Sequence, residues 1–596
     1  MQSYNQTWDL DVFFPGGSSS PEFAQYISKL DMDVQQLLQH LQHLHIPQSA
    51  EDGDDFQQVV ERLQDVQKRI AQAMSFVGCL MAQDTKDKKA VLLNGQVKSL
   101  YAQYSSVWTL LDKAILKVDA DVWSQLLRQA ESLQGIAFPL NERRTQAIEK
   151  LPPEQEVLVN DLAVDGYHAW ESLYDTTVGR MSIPLEENGE TAAVSVGQAA
   201  NKLASSKREE RAAVFQKWEE AWAEQADFCA DALNHLAGFR LAVYKHRGWN
   251  SVLKEPLAIN RMSEQTLQTM WDVIDRNKDI FVQYLHRKAK LLGLERLSWH
   301  DVSAPLGKTT KQVSYAEAAE FILQHFQRFS PKMAAFAEQA FRNRWIEAED
   351  RPGKRPGGFC TGFPVSGQTR IFLTFSGTSS NVSTLAHELG HGYHQYVMED
   401  MPALAQNYAM NVAETASTFA EMIVSDAALR QAASDEERIV LLDEKVERAV
   451  AFFMNIHARF LFETSFYEER KNGLVDMEML SQLMMTAQKT AYKDALAEYH
   501  PHFWASKLHF YITDVPFYNF PYTFGFLFSS GIYAQALQEG ASFEDRYVAL
   551  LRDTGSMTVE ELAAKHLRAD LTKPDFWQSA VDVSIADARQ FLELTK

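Results

Sequence analysis

The sequence predicts a mainly α-helical fold of two domains, with a small β-sheet directly before the helix that carries the candidate site. Apolar residues recur at helical spacing through most of the chain, and the clearest β-rich stretch is confined to residues 359–375. The 596 residues exceed what one compact core usually serves. We therefore expect an N-terminal helical domain over residues 1–195 and a catalytic domain over residues 196–596.

The N-terminal domain begins with an aromatic-rich arm over residues 5–20, which we expect to pack over a later domain. Between residues 21 and 162, apolar residues three and four positions apart predict an antiparallel set of helices. The pattern changes over residues 163–196. There, Asn188-Gly189 predicts the turn of a small hairpin and marks a plausible domain boundary.

The second domain is predicted to resume as helices and then to change character after residue 350. Residues 350–358 are rich in Gly and Pro, and residues 359–363 and 370–375 are the best strand candidates in the chain. An exposed strand edge beside a metal site would let an extended peptide add as another strand. The alternative is a short sheet that only braces the following helix.

Composition narrows the class of protein. The net charge of −21 makes nucleic acid an unexpected partner. Three separated cysteines, Cys79, Cys229 and Cys360, suggest no disulfide framework and suit a reducing cytoplasm. The N-terminus lacks the pattern of a signal peptide, and polar residues interrupt the richest apolar run, residues 449–466. We therefore expect a cytoplasmic protein with no membrane partner.

The most informative stretch is residues 384–394, Thr-Leu-Ala-His-Glu-Leu-Gly-His-Gly-Tyr-His. On a helix, His387 and His391 project from one face and can share a zinc ion. Glu388 points toward the same ion, where it can take a proton from a zinc-bound water. Ser380, Asn381 and Ser383 offer N-caps for this helix. The alternative is a surface helix with incidental histidines.

The third protein ligand should come from a following helix. Glu414 and Glu421 are seven residues apart, so they share a face but lie about 10.5 Å apart along the helix axis. One is the ligand, and the other at most contacts a ligand. Gly390 and Gly392 weaken a purely structural helix but leave room for another segment to approach closely.

These residues resemble a known family. His387-Glu388-Leu-Gly-His391-Gly-Tyr-His394, followed by Ala-Glu414-Thr-Ala-Ser, is similar to the oligoendopeptidase F branch of the thimet oligopeptidase-like zinc metallopeptidases. The resemblance implies one Zn²⁺ held by His387, His391 and Glu414, with Glu388 as general base. It also implies a two-lobed helical fold with a deep channel for oligopeptides. His394 is expected to support a ligand rather than to bind the metal.

An aromatic segment near residue 520 is the second place where the resemblance assigns functions. Hydrolysis of a peptide bond develops an oxyanion, which hydroxyl or imidazole donors stabilise. By resemblance, His509, Tyr518 and Tyr522 are the candidate donors. This chain carries Pro516 and Pro521 where thimet-type members have more glycine, so the alignment of each tyrosine is open. The alternative is an aromatic core cluster.

Together these observations predict a zinc-dependent endopeptidase that cleaves short oligopeptides. A zinc carboxypeptidase on a related helical fold remains an alternative. It would need a cation for the terminal carboxylate, and Arg355, Arg370 and Arg459 are candidates. A non-enzymatic helical peptide-binding protein is the other alternative. Cleavage of a peptide with blocked ends would exclude the carboxypeptidase. Zinc binding without turnover would indicate the peptide-binding protein.

Overall fold

The computed structural model describes residues 4–187, 190–307 and 312–596, and it confirms a mainly helical fold. The helices of the first half are α1 Pro21–Gln42, α2 Asp54–Gln83, α3 Lys88–Ile115, α4 Ala120–Gln129, α5 Glu131–Gln134, α6 Ala137–Glu149, α7 Pro153–Ala163, α8 Ala169–Arg180, α9 Val196–Lys202, α10 Arg208–Glu224, α11 Ala226–His246, α12 Lys254–Ile259, α13 Glu264–Arg276 and α14 Asp279–Leu291. Those of the second half are α15 Tyr315–Phe329, α16 Pro331–Arg342, α17 Ser379–Met398, α18 Met410–Ala413, α19 Thr415–Gln431, α20 Asp435–Val450, α21 Ile456–Arg470, α22 Met477–Ala491, α23 Phe503–Ser506, α24 Phe520–Glu539, α25 Glu544–Asp553, α26 Val559–Leu567 and α27 Pro574–Leu594.

Five strands form two small sheets within the described residues. β1 Ile183–Glu187 and β2 Glu190–Val194 make an antiparallel hairpin, as expected, although the predicted Asn188-Gly189 turn lies outside the described residues. β3 Ile346–Glu347, β4 Phe359–Phe363 and β5 Gln368–Phe372 form the second sheet. β5 is central, parallel to β3 and antiparallel to β4, so β4 is an edge strand.

The chain packs into two compact units, each assembled from separate segments. Unit 1 contains Met1–Lys150, Thr310–Ala427 and Gln535–Arg568. Unit 2 contains Leu151–Thr309, Ala428–Ala534 and Ala569–Lys596. This grouping by packing differs from a division into contiguous domains, because each unit is completed by segments distant in sequence. The boundary expected near residue 195 falls inside unit 2, and the division at that point stays a prediction.

Unit 1 is built on amphipathic helices and the second sheet. On α1, Leu30, Val34, Leu37 and Leu41 are buried at the alternating spacing of three and four that puts them on one face. This face packs on α2 and α3. The N-terminal arm packs as expected against a later segment, because the Trp8 ring lies 5.6 Å from the Phe372 ring of β5.

Unit 2 is organised around its C-terminal helix. α27 packs against α13, α14 and α20, and it buries Trp577 and Phe591. α21 and α22 form a closely packed pair in the same unit. Among the described residues, we find no helix that combines the length and apolar character needed to cross a membrane.

Candidate metal centre

The metal-binding motif lies on α17, which begins at Ser379, two residues earlier than the first expected cap, Ser380, would allow. Thr378 is the N-cap, and its hydroxyl accepts a hydrogen bond from the backbone N–H of Asn381. Asn381 reciprocates, because its Oδ1 accepts from the N–H groups of Thr378 and Ser376. The prediction of Ser380, Asn381 or Ser383 as the cap was therefore wrong, because Thr378 and Asn381 form the capping box and all three predicted residues lie inside the helix.

Three side chains converge from α17 and from the residue before α19. Glu414 Oε2 lies 3.2 Å from His387 Nε2 and 3.6 Å from His391 Nε2. One candidate ligand atom from each residue lies within 4.8 Å of the others. Two ligands of a tetrahedral zinc ion, each bonded at about 2.0–2.1 Å, are about 3.4 Å apart. The observed separations and the N, N, O donor set therefore fit zinc.

The electrostatics of this group favour a positive charge between the two glutamates. Burial opposes ionisation of Glu414, but contacts with His387 and His391 lower its pKa to about 2. Burial likewise disfavours a charged His387, yet hydrogen bonds to Glu414 and Glu421 raise its pKa to about 10. Burial lowers the pKa of His391 to about 4, which keeps that imidazole neutral. A metal ion held by the two imidazoles and Glu414 would supply positive charge to the Glu414 carboxylate in place of a protonated His387.

Glu414 is not inside a regular helix, contrary to the expectation of one helix that carries both Glu414 and Glu421. It lies between α18 and α19, with φ −83° and ψ 2°. Glu421 lies on α19, and its Oε2 is 3.3 Å from Nδ1 of His387. The two glutamates thus face opposite nitrogens of one imidazole. Only Glu414 belongs to the three-residue group found among the described residues, and Glu421 is placed to orient His387.

Gly390 explains how α19 comes so close to the histidines. A Cβ added to Gly390 would lie 2.5 Å from the carbonyl oxygen of Ala416 and 2.5 Å from Cα of Ser417. No side chain larger than hydrogen fits there without moving backbone. The suggestion that small residues beside the ligands admit another segment therefore has a structural basis at this position.

Glu388 is a buried carboxylate beside the ligand group. Burial raises its pKa to about 7, with His387 acting in the opposite direction. Its Oε2 has no hydrogen-bond partner within the described part of the chain. Gly358, which was not among the predicted site residues, lies beside it, since a Cβ there would be 3.1 Å from Glu388 Oε1. The Gly357-Gly358 pair was the available signal for this close approach.

The edge strand β4 connects this glutamate to the sheet. Its Gly362 carbonyl accepts a hydrogen bond from Ser75 Oγ of α2, so that end of the edge is covered. The Phe359 end follows Gly358 directly and therefore lies on the side of Glu388. The pairing of an extended peptide with the first part of β4 stays a prediction.

His394 makes its contacts away from the three candidate metal ligands. It is fully buried, stacks on Tyr408 at 4.2 Å between ring centroids, and its Nε2 lies 2.9 Å from Thr554 Oγ1. It is absent from the three-residue group among the described residues. Its contacts place it in the packing of α17 against the segment after α25.

The three aromatic candidates form one cluster in unit 2. The His509 ring centroid lies 5.2 Å from that of Tyr518 and 5.9 Å from that of Tyr522. Burial, with nearby Arg459 and Lys507, lowers the pKa of His509 to about 3, so its imidazole is neutral. Its Nδ1 is buried without a partner among the described residues. The structure thus brings these side chains together, and their action on an oxyanion stays a prediction.

The three arginines considered for a terminal carboxylate differ in their surroundings. Arg370 is fully buried in unit 1 and donates to the Asp9 carbonyl through Nε and Nη2, at 3.1 and 2.8 Å. These bonds hold the N-terminal arm, so Arg370 is not available to bind a terminal carboxylate. Arg355 is exposed on the turn-rich segment. Arg459 lies on α21 in unit 2.

Comparison with known proteins identifies relatives along nearly the whole chain. Peptidase family M3 matches residues 202–583, and Oligopeptidase F, an N-terminal family, matches residues 115–182. Oligopeptidase PepF of Bacillus subtilis is 22% identical over 96% of this chain and 84% of its own length. An oligoendopeptidase F homolog of Lactococcus lactis is 22% identical over 97% and 95%. The structure of oligoendopeptidase-F from Enterococcus faecium superposes with a TM-score of 0.68 at 19% identity, covering 96% of this chain and 99% of that one.

Proposed function

This chain belongs to peptidase family M3, whose members are metallopeptidases, and we propose that it cuts internal bonds of short oligopeptides with one zinc ion held by His387, His391 and Glu414. Relatives over nearly the full length carry oligopeptidase names. The observation that carries the zinc assignment is the convergence of two imidazole nitrogens and one carboxylate oxygen at the separations of tetrahedral ligands.

Zinc, when bound, supplies Lewis acidity at the scissile carbonyl and at the attacking water. Glu388 takes the proton from that water and delivers it to the leaving amine. Its burial and its pKa of about 7 suit it for both roles near neutral pH, because a catalytic base works best when its pKa lies near the working pH. Glu421 contacts Nδ1 of His387 and so holds Nε2 on the side of Glu414, where the ion would be bound.

Two further parts of the chain contribute to substrate handling in this proposal. The first part of β4 pairs with the extended peptide, beside Glu388. His509, Tyr518 and Tyr522 act as candidate donors to the oxyanion, for which the neutral imidazole and the clustered hydroxyl-bearing rings are suitable groups. A deep channel that admits oligopeptides and excludes folded proteins is part of the same proposal and rests on the family resemblance.

We place the protein in the cytoplasm as part of this proposal. The three cysteines are free thiols, as expected in a reducing compartment. The net charge of −21 also argues against nucleic acid as a partner.

The decisive experiment uses an internally quenched peptide of about eight residues with an acetylated N-terminus and an amidated C-terminus. We expect the zinc-loaded protein to cleave it at an internal bond, to lose this activity with a chelator and to regain it with zinc. Cleavage restricted to peptides with a free C-terminus would support the carboxypeptidase alternative. Stoichiometric zinc and peptide binding without any product would instead indicate a binding protein.

A further inference from the structure

Two cations of unit 2 lie close to the ring of Phe503. The guanidinium carbon of Arg459 lies 5.4 Å from the ring centroid, and the Nζ of Lys507 lies 5.9 Å from it. Arg459 comes from α21, whereas Phe503 and Lys507 lie on and directly after α23. We call Arg459 and Lys507 the Phe503 cation pair. Both side chains are half-buried, so neither is a freely solvated surface charge.

Neither cation has an acidic partner within the described ranges of the chain. The guanidinium Nε of Arg459 donates to Asn455 Oδ1 at 2.9 Å, and neither residue takes part in an ion pair of the described residues. The carboxylate of Glu219 is engaged by His500 and His502. Carboxylates outnumber cations in this chain, 79 to 58, so a close pair of unmatched cations is unusual here.

Holding these two cations together is electrostatically unfavourable in the protein alone. Burial, together with the charge of Arg459, lowers the pKa of Lys507 to about 7. Burial lowers the pKa of Arg459 to about 10. Half-buried charges are normally matched by an opposite charge, because desolvation is otherwise uncompensated. An anion bound between them would supply that match.

The neighbourhood of the cation pair indicates what kind of anion would fit it. A guanidinium presents a planar fork that matches a carboxylate, and an ammonium adds a point charge. His509, whose pKa both cations affect, has a buried Nδ1 without a partner among the described residues. Its ring stacks on Tyr518, one of the candidate donors of the proposed reaction. The pair therefore lies beside groups that we expect to face a bound peptide.

We propose that Arg459 and Lys507 form a specificity site for a carboxylate of the peptide substrate. The inference rests on the proposed function, because it takes the anion from the proposed class of substrate. Two sources of this carboxylate are possible, the free C-terminus and an aspartate or glutamate side chain. In either case the site selects among oligopeptides by charge and position, independently of the metal ligands.

The test compares four peptides of one sequence in the zinc-loaded enzyme: a free C-terminus or a C-terminal amide, each with one internal glutamate or glutamine. We expect kcat/KM to favour one carboxylate-bearing form over its neutral counterpart by at least about 10-fold. Arg459→Gln and Lys507→Gln should each reduce this ratio toward one. Because a ratio is measured within one variant, general loss of activity does not imitate the effect. Lys489→Gln, which removes an exposed lysine of α22, is the matched control and should keep the wild-type ratio.

Equilibrium binding of the same peptides to zinc-loaded Glu388→Gln protein separates this inference from the proposed function. If no peptide is hydrolysed by the wild type, the proposed function fails, but tighter binding of a carboxylate form that depends on Arg459 and Lys507 would still support the site. The inference is overturned if the wild type cuts and binds the carboxylate-bearing peptides and their neutral counterparts equally well. It is also overturned if the Arg459 and Lys507 variants keep the wild-type ratio.

Discussion

Replacing Gly390 with alanine tests whether close contact between two backbones assembles the metal site. The added methyl carbon would lie 2.5 Å from backbone atoms of Ala416 and Ser417. Backbone cannot rotate away as a side chain can, so α17 and α19 must separate. Glu414 directly precedes α19, and separation would therefore move its carboxylate away from the histidines.

The magnitude follows from two opposing contributions. Overpacking of this kind costs about 1–3 kcal/mol, whereas alanine gains about 1 kcal/mol over glycine in a helix. We therefore expect Gly390→Ala to lose up to about 2 kcal/mol of unfolding free energy. Gly95→Ala is the matched control, because Gly95 is exposed on α3 and an added Cβ there meets no described atom within 4 Å. That variant should gain up to about 1 kcal/mol.

The assay measures denaturant unfolding and zinc affinity of both variants in parallel. Gly390→Ala should bind zinc at least about 10-fold more weakly, as expected when a ligand is displaced or misoriented, while Gly95→Ala should bind it like the wild type. Wild-type stability together with wild-type zinc affinity in Gly390→Ala would refute the reasoning. It would mean that the two helices adjust without disturbing Glu414.

Three further predictions concern other groups. Glu421→Ala should retain the three ligands but weaken zinc binding or activity by about 10–100-fold, measured by metal titration and peptide hydrolysis, and an unchanged variant would argue against its orienting role. Tyr518→Phe or Tyr522→Phe should lower kcat by about 10²–10³ at near-normal KM, and wild-type rates in both would assign the cluster to core packing. Although burial opposes it, contacts with His500 and His502 lower the pKa of Glu219 from 4.5 to about 2. Glu219→Gln should therefore lower the unfolding temperature at pH 6, with a deficit that shrinks as the pH falls from about 4.5 toward 2, and a deficit independent of pH would contradict this.

Local spacing made part of the site predictable. His387, Glu388 and His391 lie on one helix, and helix geometry alone determines that the two imidazoles share a face. The strands before this helix were also predictable, because β-rich residues stand between Gly-rich turns. The observed β5 ends at Phe372. The backbone N–H groups of Leu373 and Phe375 still donate to the carbonyls of Glu347 and Ala348, each at 2.9 Å.

Tertiary packing decided the features that sequence patterns left open or predicted wrongly. Periodicity suggested one helix through Glu414 and Glu421, but the chain breaks at Glu414, where the contact of α19 with Gly390 sets its position. The proximity of the unmatched charges of Arg459 and Lys507 could not be predicted either, because the two residues lie 48 positions apart in sequence and come together at Phe503. Such contacts depend on residues distant in sequence, which no local pattern records.

The most direct test of the central claim is the turnover of zinc-loaded Glu388→Gln on a peptide with blocked ends. The substitution keeps the size of the side chain and removes only its ability to act as a base. We predict zinc content equal to that of the wild type, measured by elemental analysis, with nearly all hydrolysis lost. Wild-type rates in the zinc-loaded variant would contradict the assignment of Glu388 as the base and with it the proposed mechanism.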